Sequence, residues 1–190
     1  MVRILPLASD FAMAACTSLV PSTVAHLAAL SPLDSDPKNI EIALILPTGL
    51  QVPEGSAVLT IAVRRSDTNA TLRQDSVLQQ LAGAATPAVP RAAHASVYRL
   101  SAADAEKLVS LQATLQELKR TTPEGVSVGQ LSLTIGGCAS GSGPATDARA
   151  SAFLTTRADG EFLPLFKDVP LRQLLGPAVF DAIGTCRGPS

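Results

Sequence analysis

Along the first third of the chain, Ile40, Ile42, Leu44 and Leu46 alternate with Glu41 and Ala43. A period of two sends successive side chains to opposite faces, so this stretch predicts a strand with four aliphatic chains on one face, ended by Pro47-Thr48-Gly49. A second strand is predicted from Ala57 to Arg65. Leu59, Ile61 and Val63 fall on one of its faces, Thr60, Ala62 and Arg64 on the other, and Pro53-Glu54-Gly55 before it has turn chemistry. Beyond the polar turn Asp67-Thr68-Asn69, Thr71 to Leu81 reads equally as strand or helix, and the Ala/Pro-rich stretch Ala82 to Ala93 reads as an exposed loop.

The period changes after a short strand at Val97 to Leu100. Leu108, Leu111, Leu115 and Leu118 are spaced by three, four and three residues, which places them on one face of a helix near 101–119. Ser101 is suited to cap it, with Asp104 standing where a capping box usually has glutamate and reaching back to the cap backbone. Thr121-Thr122-Pro123 ends the run. With strands on either side in sequence, the leucine stripe predicts the packing side of a crossover helix rather than a zipper for a partner.

Strand patterns return in the last third. Val126 to Ile135 is one, with Gly129 a position for a bulge, and Ala150 to Arg157 forms a hairpin with Phe162 to Phe166 around Ala158-Asp159-Gly160. Pro170 suits the first turn of a short helix through Leu175, Gly176-Pro177 breaks it, and Ala178 to Ile183 reads as a last turn. The fold class expected is α+β, mainly antiparallel β and sandwich-like, with one amphipathic crossover helix. Residues 1–15 read as a leader and 16–38 as a tether, with Val24 to Leu30 a short helix and the segment from Pro32 to Pro37 a breaker. Residues 39–190 form a single β-rich globular domain.

Composition narrows the function classes. Hydrophobic residues are 46% of the 190 and charged residues 16%, which fits a folded domain and not a disordered one. Aromatic residues are 3%, without tryptophan, so few rings are available for bases or sugars to stack on. The net charge of −1 lacks the basic footprint of a nucleic-acid binder, and no nucleic-acid partner is expected.

The N-terminus has the order of a secretory leader: Arg3, an apolar stretch, then Ala14 and Ala15 before Cys16. Met13-Ala14-Ala15-Cys16 resembles the bacterial lipobox, in which an apolar residue and two small ones precede a cysteine that takes a diacylglycerol. The resemblance covers these four residues. It implies a small exported lipoprotein of the uncharacterised bacterial kind, with Cys16 as the lipidation site, and Thr17 in place of aspartate implies the outer membrane, facing the periplasm. Asp10 interrupts the apolar phase, which leaves open a longer leader with another start codon, or a cysteine in an amphipathic N-terminal helix. Pro21, His26 and several hydroxyl residues interrupt the one long uncharged stretch, so an anchor is expected rather than a spanning helix.

The chain has three cysteines. Assigning Cys16 to a lipid leaves Cys138 and Cys186 as a pair, and a disulfide between them would tie the C-terminal end to the sheet in an oxidising compartment. Two free thiols are the alternative. No metal site is expected, because there is no C-x-x-C and neither His26 nor His94 has ligand neighbours at metal spacing.

Motifs for catalysis are few. Gly136 to Gly143 follows a strand but lacks the Gly-Lys-Ser/Thr ending of a phosphate loop, and reads as a flexible loop. His94 falls in the Ala/Pro-rich loop and reads as solvated, as do Asp34 and Asp36 in the linker. The function expected is an exported envelope lipoprotein with a structural or protein-interaction role, without catalytic activity and without cofactors. Its partners would be the membrane, through the lipid, and other envelope proteins. The alternative is a periplasmic carrier of an apolar ligand held between helix and sheet.

Overall fold

The computed structural model describes residues 34–122, 126–157 and 160–186. The leader 1–15, the tether up to residue 33 and the helix expected at Val24 to Leu30 lie outside the described residues. Description begins beside a 3-10 turn at Pro37–Asn39, where the Asp36 carboxylate accepts from the Lys38 amide and Pro37 is buried. Gln112 of the long helix donates to the Ser35 carbonyl at 2.8 Å. The last residues of the expected tether are therefore packed, and Asp36 is a cap rather than a merely solvated carboxylate.

The strands are β1 (Glu41–Pro47), β2 (Leu50–Gln51), β3 (Ala57–Arg65), β4 (Thr71–Val77), β5 (Gln79–Leu81) and β6 (Ala93–Arg99). Helix α1 (Ala102–Thr121) follows, then β7 (Val126–Ile135), β8 (Cys138–Ala139), β9 (Arg149–Thr155) and β10 (Leu163–Pro170), and the short helices α2 (Leu171–Leu175) and α3 (Pro177–Asp181). A five-stranded sheet has the order β10-β9-β1-β6-β5, a three-stranded sheet the order β4-β3-β7, and β2 pairs with β8. Every one of these pairings is antiparallel. The fold is mainly antiparallel β and sandwich-like, with one long helix crossing from β6 in the larger sheet to β7 in the smaller, as the patterning predicts.

One core cluster joins the layers: Ile42 and Leu44 of β1, Leu59 and Ile61 of β3, Leu154 of β9, and Ala105 and Leu108 of α1. Each aliphatic side chain fully buried here contributes about 1.5–3 kcal/mol of apolar transfer. Within the stripe, Leu108 and Leu115 are buried, while Leu111 and Leu118 are half-buried. Ser101 caps α1 by accepting from the Asp104 amide. The Asp104 carboxylate takes the Ser101 hydroxyl at 3.0 Å and Lys107 Nζ at 2.8 Å rather than reaching the cap backbone as expected. Aspartate is one methylene shorter than the glutamate of the usual box, which explains the shorter return.

Several expectations need correction. The alternation in β1 points to one aliphatic face, but Ala43 and Ile45 on its second face are also buried, in a smaller cluster with Val97 and Phe153. It is the middle strand of five, and its neighbours on both sides line that face with apolar residues. The ambiguous segment is two strands, β4 and β5, separated by Leu78 alone and belonging to different sheets. Such a bend lets one run of chain turn a corner of the sandwich. β6 begins at Ala93, so His94 is a half-buried strand residue opposite Leu46 and not part of a loop. β10 runs on to Pro170, which stands at the N-cap of α2 instead of inside its first turn. The bulge expected at Gly129 of β7 is present, since the register with β3 shifts between Gly129 and Ser127.

Candidate functional site at the disulfide-tied end

Within the glycine-rich run expected as a flexible loop, Cys138 and Ala139 form the short strand β8, while the residues on either side of it lie in turns and irregular chain. Leu50 and Gln51 of β2 oppose Ala139 and Cys138 of β8. On the other side of β8 the C-terminal segment pairs in parallel: Ala139 donates to the Gly184 carbonyl and accepts from the Cys186 amide, both at 2.8 Å. Ser140 donates to the Gly49 carbonyl at 2.9 Å, which continues the pairing into the turn. Gly49 needs to be glycine. Its φ is +87°, and a Cβ there would come within 2.3 Å of the Gly143 carbonyl oxygen.

Cys138 and Cys186 meet in this arrangement and form a disulfide, with α-carbons 4.8 Å apart. Both are half-buried. The segment that carries Cys186 is also packed: Leu171 and Phe180 are buried in the main cluster and Ile183 lies against it. Arg172 holds Asp181 through two bonds of 2.8 Å and lies over the Phe180 ring, so α2 and α3 are clamped together. The disulfide fastens the end of an element that already has a seat. Cys16, the lipidation site expected from sequence, and His26 lie outside the described residues.

Polar groups elsewhere form local pairs. On the outer face of the smaller sheet the Asp75 carboxylate accepts from Arg73 Nε at 2.9 Å, from Arg73 Nη2 at 2.8 Å and from the Thr60 hydroxyl on the neighbouring strand. The Arg73 bond and then the Thr60 bond hold Asp75 below the usual carboxylate range, and Arg65 does the same for Asp67. Lys107 first, and Ser101 after it, lower Asp104. Asp168, at φ +54°, sits in an irregular stretch of β10, donates its amide to Ser151 Oγ at 2.9 Å and pairs with Arg149. Sequence patterning missed this last group, since the expected strand stopped at Phe166; an aspartate tolerates the left-handed region, and that was the available signal.

Among the described residues no group of three His, Cys, Asp or Glu is placed to hold a metal ion, and no helix is long and apolar enough to cross a membrane. The arrangement at the disulfide end acts by constraint. It closes the C-terminal segment onto the sandwich and leaves no titratable thiol at either position. Comparison with protein-family models, with curated proteins and with solved structures finds no match to this chain.

Proposed function

We propose that this chain is an exported envelope lipoprotein, anchored through Cys16 and carrying its domain on the periplasmic side of the outer membrane, with a structural or protein-interaction role rather than a catalytic one. The observation that carries the reading is the Cys138–Cys186 disulfide. Such bonds persist in oxidising compartments and are rare where thiols are kept reduced. Pairing these two leaves Cys16 as the third cysteine, and it is the one that ends the lipobox-like Met13-Ala14-Ala15-Cys16. A thiol that takes a lipid and a pair that takes a disulfide account together for an odd count in an exported chain.

No specific observation favours the carrier alternative. Leu108 is fully buried in the cluster that also holds Ile42 of β1 and Leu59 of β3. The anchor is tested by growing the native-leader form with labelled palmitate and fractionating the cells. Label in the membrane-bound protein, lost together with membrane association in Cys16→Ser, is the expected result. Equal labelling of the two forms, or none in either, would end the proposal.

A further inference from the structure

Four strands form the edges of the two larger sheets: β10 and β5 in one, β4 and β7 in the other. Three of them carry features that discourage the addition of a further strand. β10 has Pro164 and Pro170, the Lys167-Asp168 pair of charges and two shifts of register. β5 is three residues long, and β4 displays Arg73 and Asp75. β7 is ten residues long and has neither a charge nor a proline. No strand flanks its far side among the described residues.

The pattern within β7 suits a particular neighbour. Val63 opposes Gly129 and Arg64 opposes Ser127, so Val128 is the extra residue of the bulge and the regular part of the strand runs from Gly129 to Ile135. The midpoint of that part is Ser132. Leu131, Leu133 and Ile135 lie half-buried against the main core, whereas Gln130 and Thr134 are exposed on the outer face with Ser132 between them. An identical strand can extend the sheet without exchanging its two faces only about a twofold axis perpendicular to the sheet, which makes one residue oppose its own copy. With Ser132 in that place, Leu131 opposes Leu133 and Gln130 opposes Thr134, each twice. Aliphatic chains then meet aliphatic chains, and amides and hydroxyls meet hydroxyls.

We propose that a second copy of this chain adds its β7 antiparallel to this edge about a twofold axis through Ser132, joining two three-stranded sheets into one. This inference stands independently of the lipid anchor. Self-opposed residues in an antiparallel pair have α-carbons about 4.5 or 5.5 Å apart, within disulfide reach. The test uses the full chain in a Cys16→Ser background, which removes the third thiol, with Cys138 and Cys186 left paired. Under mild oxidation Ser132→Cys should convert to a covalent dimer, while Leu131→Cys, opposed to Leu133, should give several-fold less. Sedimentation should show the parent chain approaching twice its mass as concentration rises, and Ser132→Lys, which opposes two ammonium groups at the axis, staying at monomer mass with an unchanged circular dichroism spectrum. A parent chain that is monomeric at every concentration, equal crosslinking of the two cysteine variants, or a dimeric Ser132→Lys would each overturn the proposal. The parent measurement decides even where a variant fails to fold.

Discussion

Cys138 and Cys186, 48 positions apart in the chain, stand with their α-carbons 4.8 Å apart and are joined by a disulfide at β8, a strand paired with β2 on one side and with the C-terminal segment on the other. The bond closes a long loop that contains β9, β10 and both short helices. In the chain-entropy account a loop of this length stabilises the fold by about 4 kcal/mol, through the freedom it removes from the unfolded state. Cys138→Ser should therefore lose close to that amount in urea unfolding, and reduction of the parent chain should lose the same. A loss under about 1 kcal/mol in both would mean that the pairing of Ala139 with Gly184 and Cys186 holds the end by itself.

The leucine stripe is graded in burial, and its substitutions should be graded in cost. Leu108→Ala removes a side chain with no exposed surface and should cost about 2–5 kcal/mol. Leu111→Asp should cost less than a charge at Leu108, because the half-buried Leu111 position lets the carboxylate reach water. Val109→Ala, on the exposed side, should change stability by less than about 0.5 kcal/mol. Equal costs at Leu108 and Val109 in thermal melts would contradict the packing described for α1.

Asp104 links the cap to acid stability. Its carboxyl is lowered by Lys107 and Ser101, so its folded pKa lies below the unfolded one. The contribution to stability is present above the ordinary carboxylate range, roughly pH 4, and is lost as pH falls through the lowered folded value. Asp104→Asn should be less stable than the parent at neutral pH, with the gap closing as pH falls below roughly 4. Ser101→Ala should cost about 1 kcal/mol at neutral pH. A gap for Asp104→Asn that stays constant across an acid titration of unfolding would contradict this role.

Gly49 and Gly83 both have positive φ, but only Gly49 faces another backbone. Gly83→Ala should cost about 1 kcal/mol, the left-handed conformation alone. Gly49→Ala adds a collision with Gly143 and should cost clearly more, with loss of the turn that presents β8 to β2. Matching melting temperatures for the two variants would count against the close approach.

The patterning that was legible in sequence belongs to elements that settle their own structure. The spacing of Leu108, Leu111, Leu115 and Leu118 and the cap at Ser101 placed α1 almost to the residue, and alternation along Ala57–Arg65 placed β3 and the face on which Leu59, Ile61 and Val63 are buried. Features set by distant partners were not legible. The second buried face of β1 depends on Val97 and Phe153 from the neighbouring strands, and the corner at Leu78 depends on two sheets meeting there. The segment around Cys138 looked like a loop because glycine and serine have weak strand preference, and its pairing comes from Leu50, Gly184 and Cys186, far away in the chain. At the disulfide the cysteines themselves were the signal. That β7 stands at a margin among the described strands shows only once the sheet order is known, since an uncharged alternating strand reads alike in the middle of a sheet and at its margin.

The intact mass of the chain purified from cells that produce it natively, measured with and without prior reduction and alkylation, tests the exported lipoprotein directly. The account predicts a mature chain that begins at Cys16 with a diacylglyceryl group on its thiol, and that takes up two alkyl groups only after reduction, at Cys138 and Cys186. A chain that retains the residues before Cys16, with three thiols open to alkylation before any reductant is added, would contradict it.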